Sequence, residues 1–157
     1  MLLSPPSITV PGPVGGLDTL VVSPDGPPRG VAVVCHPNPT QGGTHGNKVV
    51  QTCAKALASR GYVAYCPNLR GVGNSGGEHD HGIGEVDDVI AVVDYARAQH
   101  GGRFVRLHRE LGGAERRLER QLARLTVGEA EFDGGLLQRF DEQEDVRRAA
   151  ARDGRHR

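Results

Sequence analysis

The chain has 157 residues and carries 19 basic and 19 acidic side chains, a formal net charge of zero. That length fits one domain, and the neutral balance removes any global pull toward nucleic acid or an anionic membrane surface. Aromatic residues are scarce: three Phe, three Tyr and no Trp.

In chain order, Met1-Leu2-Leu3 runs at once into Ser4-Pro5-Pro6, which is not the basic-then-apolar pattern of a signal segment. No apolar run approaches the roughly 18–20 residues of a membrane span. A cytoplasmic chain with no membrane partner is therefore expected. Residues 8–10 and 17–22 read as short strands joined by Pro/Gly turns. Asp25-Gly26-Pro27-Pro28 makes a further turn before the apolar run 31–35, VAVVC. Such a run between turn signals reads as a fully buried strand. His36-Pro37-Asn38-Pro39 and Gly42-Gly43 follow, and they stop the strand in a rigid loop.

Residues 47–60 read as a helix, with Val49, Val50, Cys53, Ala54, Leu57 and Ala58 at i, i+3, i+4 spacing. Gly61 suits the position just past its end. Residues 62–66 are the next strand, stopped by Pro67, and a glycine-rich loop fills 70–84. Residues 85–99 form a second helix that buries Val86, Val89, Ile90, Val93 and Ala96. Acidic residues in its first turn favour the helix dipole. Strand, helix, strand, helix at these intervals predicts a largely parallel sheet with right-handed crossovers, an α/β fold.

Composition changes near His100-Gly101-Gly102. The first hundred residues carry 6 basic and 8 acidic side chains; the last 57 carry 13 basic ones, all Arg, and 11 acidic. The organisation expected is residues 1–100 as half of an α/β domain and 101–157 as an atypical Arg/Glu-rich tail. That tail reads as out-of-frame sequence, as a fused segment or as disorder. Residues 103–107 are short and flanked by charge where a buried strand is due. Leu107, Leu111, Leu118, Leu122 and Leu125 fit an amphipathic helix over 107–125, so the non-catalytic alternative is a truncated product or an interaction module using that helix. A sheet stopped after about four strands would leave an apolar edge unpaired.

The loop 36–43 carries the chemistry expected first. Acyl transfer needs backbone N–H groups aimed at a developing oxyanion. Pro37 and Pro39 have none, so Asn38 is the first available donor, and Gly42 and Gly43 allow close approach to a substrate. The same residues read equally well as an ordinary Pro/Gly turn. Gly73-Asn74-Ser75-Gly76-Gly77 spells G-x-S-x-G. A nucleophile elbow, however, sits directly between a strand and a helix. Here eight residues separate Ser75 from the strand ending at Cys66, and the helix begins near Glu85. Ser75 is therefore expected in a glycine loop, not as a nucleophile.

Gly71-x-Gly73-x-x-Gly76 matches a dinucleotide fingerprint but opens no helix, so no cofactor is expected. Glu78-His79-Asp80-His81 reads as a solvated loop and not as a metal cluster. The tail arginines are nearly cancelled by acids, which argues against nucleic acid as a partner. Cys35, Cys53 and Cys66 form no C-x-x-C and read as small apolar residues in a reducing compartment.

Three motifs taken together resemble a known family. They are His36-Pro-x-Pro with Gly42-Gly43 and Asn47-Lys48; Pro67-Asn68-x-Arg70-Gly71-x-Gly73-x-Ser75-x-Gly77; and Gly84-Glu85-x-Asp87-Asp88. Residues 15–100 are similar to the N-terminal half of bacterial α/β-hydrolases of the dienelactone-hydrolase-like group. The resemblance implies hydrolysis of small-molecule carboxylic esters or related acyl bonds. It also implies an oxyanion loop at His36, with Asn38 closest to the donor position. Family members place the nucleophile serine after the fifth strand, followed by Asp and His. This sequence holds no serine beyond Ser75, and His108 and His156 are its only histidines after His100. The triad is therefore not assembled from its residues, and the catalytic residues stay unassigned.

Overall fold

The computed structural model describes residues 5–101 and 105–108. Five strands make one sheet: β1 (Ser7–Gly12), β2 (Gly15–Val22), β3 (Gly30–Val34), β4 (Tyr62–Pro67) and β5 (Val105–His108). Their spatial order is β1-β2-β4-β3-β5. The first two pairings, β1 with β2 and β2 with β4, are antiparallel; β3 runs parallel to both β4 and β5. The sheet is thus mixed, its parallel part beginning only where helical crossovers begin. The β1–β2 link is a tight hairpin, which can join only antiparallel strands.

Helix α1 (Lys48–Ala58) connects β3 to β4, and α2 (Glu85–Gln99) connects β4 to β5. β3 is buried along its whole length, so its alternating side chains serve both faces. Val31, Val33 and Cys35 join Val86, Val89, Val92, Val93 and Ala96 of α2 on one side. Ala32 and Val34 join Val50, Ala54 and Leu57 of α1 on the other. The two helices cover opposite faces because the chain leaves β3 in one direction toward β4 and returns past it to β5. With right-handed crossovers, that reversal switches faces.

The expected helix faces need small corrections. Val49 is half exposed and Ile90 only partly buried, whereas Val92 is fully buried. The core-facing stripe of α2 is rotated toward Val92 because that helix packs across β1 and β3 together. A second correction concerns Leu107. It lies in β5, hydrogen-bonded beside β3, and does not begin a helix. The β3 edge that a four-strand sheet would expose is therefore paired. The rest of the expected 107–125 helix and the tail from 109 onward lie outside the described residues. Among the described residues, no helix is long and apolar enough to cross a membrane.

Candidate active site

The strand order reverses at β3, and in open α/β sheets ligands bind outside the carboxyl ends of strands at such a point. The loops after β3 and β4 meet there and enclose an open cleft of about 370 Å³. Pro39, Thr40, Gly42, Gly43 and Thr44 form one wall; Gly71, Val72, Gly73 and His79 form the other. That volume suits a small organic ligand.

His36 shapes this region from below. It is 1% exposed, and both ring nitrogens are engaged. Nδ1 lies 2.7 Å from the Pro37 carbonyl, and Nε2 accepts from the Leu69 N–H at 3.1 Å. A carbonyl can only accept, so the proton sits on Nδ1. Burial pushes the imidazole below its ordinary pKa, partly opposed by the Pro37 contact. A neutral His36 thus ties the end of β3 to the end of β4 and does not line the cleft.

Asn38 is exposed, and its side-chain Oδ1 caps the single 3-10 turn Pro39–Gln41, accepting from the Thr40 N–H at 3.0 Å and the Thr40 hydroxyl at 2.8 Å. Its carbonyl accepts from the Gln41 and Gly43 N–H groups. Its own N–H makes no hydrogen bond among the described residues. Gly43 is required by sterics, because a Cβ there would stand 1.9 Å from the Pro37 oxygen. Gly42 has open space around it but a φ of 83° at the end of the turn.

The loop is anchored by Asn47 and Asn68, which stand in the motifs, and by His45 and Asp18, which sequence reasoning did not single out. The His45 N–H donates to Asn68 Oδ1 at 2.8 Å, and His45 Nε2 lies 3.2 Å from Asp18 Oδ2. Asn47 Oδ1 accepts from the Thr44 N–H at 2.7 Å. The Asp18 carboxylate also accepts from the Ser7 hydroxyl. That bond, with His45, outweighs partial burial and holds the carboxyl below the ordinary range. Asp18 carried no local signal, because its importance comes from a cross-strand register that no spacing rule encodes.

Ser75 lies in this network. Its hydroxyl donates to the Asn68 carbonyl at 2.7 Å and accepts from the Asp18 N–H at 2.9 Å. No histidine is among its hydrogen-bond partners. The segment around it is a loop between β4 and α2. Burial raises the thiols of Cys35 and Cys66 to about 12, which keeps both protonated and unreactive at neutral pH. Behind the second wall, Arg70 makes a bidentate pair with Asp88, which is fully buried at the start of α2. Among the described residues, no group of three or more His, Cys, Asp or Glu side chains could hold a metal ion.

A sheet ordered in this way, with helices on both faces and loops converging after β3 and β4, is the N-terminal portion of an α/β-hydrolase fold. Comparison with solved structures agrees. The chain is 37% identical to an α/β serine hydrolase homologue from Coxiella burnetii, with a TM-score of 0.63, over 68% of this chain and 52% of that one. It is 40% identical to XC6422 from Xanthomonas campestris, an α/β serine hydrolase without a lid, with a TM-score of 0.62, over 68% and 50%. Among curated proteins it is 39% identical over 90 residues to the uncharacterized protein RP471 of Rickettsia prowazekii (strain Madrid E), covering 57% of this chain and 38% of that one. The chain thus spans about half the length of these structural relatives, and less of the curated one. No family model matches it.

Proposed function

We propose that this chain supplies the oxyanion-loop half of a site for small carboxylic esters or related acyl compounds, in the dienelactone-hydrolase-like manner. The observation that carries this reading is the Asn38 N–H. It lies between two prolines just past the end of β3, and nothing inside the described residues uses it. An unspent donor on an exposed residue beside the cleft wall, in a loop held by His36, Asn47 and Asn68, is the preorganised kind that stabilises a developing oxyanion. The attacking serine is not among the residues following β5, since the sequence holds none after Ser75. The buried, protonated cysteines fit a reducing, cytoplasmic setting.

Methylphosphonate, a tetrahedral oxyanion mimic, tests the loop. In a ¹⁵N–¹H NMR titration the Asn38 resonance should move. Binding should weaken in Asn38→Pro but not in Asn38→Ala, which retains the N–H. The φ of −51° at Asn38 accommodates proline. Equal binding by the two variants would overturn the oxyanion role. Fluorophosphonate labelling tests the reading of Ser75 as a loop residue; an adduct on it would overturn that part.

A further inference from the structure

Among the described residues His79 is the one ionisable side chain lining the cleft, and neither the solvated-loop reading nor the oxyanion loop accounts for it. Its ring Nδ1 lies 2.8 Å from Glu85 Oε1 and is closed off from solvent. The approach is oblique, outside hydrogen-bond angles. The ring is 28% exposed, and its Nε2 has no partner among the described residues. Glu85 is 2% exposed at the start of α2. Its carboxylate accepts from the Asp80 N–H at 2.7 Å and the Gly82 N–H at 2.8 Å. Burial alone would raise its pKa, but those N–H groups and the nearby His79 outweigh burial and hold it below the ordinary range. A fixed, ionised carboxylate therefore stands behind an imidazole whose far nitrogen is free. The two groups are those of the carboxylate–imidazole half of a hydrolytic triad without its hydrogen bond, and poorly aligned contacts of this kind often tighten once substrate binds.

We propose that His79, backed by Glu85, is a general base that activates water for attack on an acyl group held in the cleft, giving a serine-independent hydrolysis. His79 Nε2 takes a proton from water as the water oxygen bonds to the acyl carbon, and the carbonyl electrons move onto its oxygen. Collapse of that intermediate breaks the bond to the leaving alkoxide, which takes the proton back from Nε2. The products are a carboxylic acid and an alcohol, with no change of oxidation state. The substrate class rests on the acyl reading above; the base does not. The charged and titratable groups facing His79 are Glu85 from α2, His81 from the same loop with its ring centroid 5.0 Å away, and His36 from the end of β3.

The test is hydrolysis of p-nitrophenyl acetate by the full chain across pH 5–9, with His79→Gln, Asn38→Pro and Asn38→Ala variants checked for fold by circular dichroism. Wild type should show a rate that rises with one titration and a normal solvent deuterium isotope effect. His79→Gln should lose the titration and about a hundredfold in rate, within the usual range for a general base. Glu85→Gln should shift the inflection; should that variant fail to fold, the wild-type pH profile and isotope effect carry the same information. No hydrolysis above buffer, an unchanged rate in His79→Gln, or an acylated imidazole trapped by acid quench and mass spectrometry would each overturn the proposal. Loss in Asn38→Pro without loss in His79→Gln overturns the base and keeps the oxyanion loop; the opposite pattern keeps the base and removes the loop.

Discussion

Replacing Ser75 with alanine separates two accounts of the G-x-S-x-G match. In the structure the hydroxyl is a splint. It donates to the Asn68 carbonyl at 2.7 Å and accepts from the Asp18 N–H at 2.9 Å, joining the end of β4, the glycine loop and β2. Alanine leaves both groups without a partner. An orphaned buried polar group costs about 1–3 kcal/mol. The Asn68 contact is buried and takes the full cost, while the Asp18 N–H is part-buried and lies near the lower limit. The sum is about 2–4 kcal/mol. With a urea m-value of about 2 kcal/mol/M, the midpoint should fall by about 1–2 M. The assay is urea unfolding followed by far-UV circular dichroism, paired with p-nitrophenyl acetate hydrolysis under native conditions. A nucleophile would behave in the opposite way, with little change in stability and a loss of activity that reaches about a millionfold in an intact triad. An unmoved midpoint together with abolished hydrolysis would refute the splint.

Asp88→Ala should cost about 3–5 kcal/mol, because it strands the Arg70 guanidinium behind the cleft; thermal unfolding measures this, and the double change Arg70→Met, Asp88→Leu should recover part of it. Gly43→Ala should cost about 1–3 kcal/mol and disperse the NMR shifts of residues 37–45, since the new methyl group cannot stand 1.9 Å from the Pro37 oxygen. His36 sets a pH dependence. Burial depresses its native pKa, so the unfolded chain binds more protons. Stability is then complete above about pH 6.5 and is lost as pH falls through the depressed native value. Urea midpoints between pH 8 and 5 should show that slope, reduced in His36→Gln, and a flat wild-type profile would contradict it.

Much of this arrangement was legible in the sequence because single segments encode it. The run 31–35 carries its own burial, and Pro37, Pro39 and the glycines carry the loop. The spacing of residues 85–99 matches the bounds of α2. What stayed hidden depends on segments far apart in the chain. Asp18 reaches His45 across 27 positions, and Ser75 reaches Asp18 across 57. His79 looked like part of a charged tetrapeptide; only the fold of its loop turns it toward Glu85 and the cleft. The fifth strand was obscured by the arginines around it, although β3 had an edge that required a partner.

The misleading motif has a physical origin in the same loop. After β4 the chain must turn back on itself within a few residues, and the Gly71 N–H bonds to the Gly76 carbonyl to close that turn. Gly73 has a φ of 54°, and a Cβ there would stand 2.7 Å from the Asn68 amide nitrogen. Gly76 packs against the Gly15 backbone, and a Cβ there would stand 3.0 Å from the Gly15 Cα, so that strand would have to give way. Glycine is thus required at Gly73 and favoured at Gly76, and the serine between them makes two hydrogen bonds. A pattern that encodes a strained nucleophile after one strand here encodes a pinned loop after another. The strand a motif follows, and the helix it precedes, therefore decide its chemistry more than the letters do.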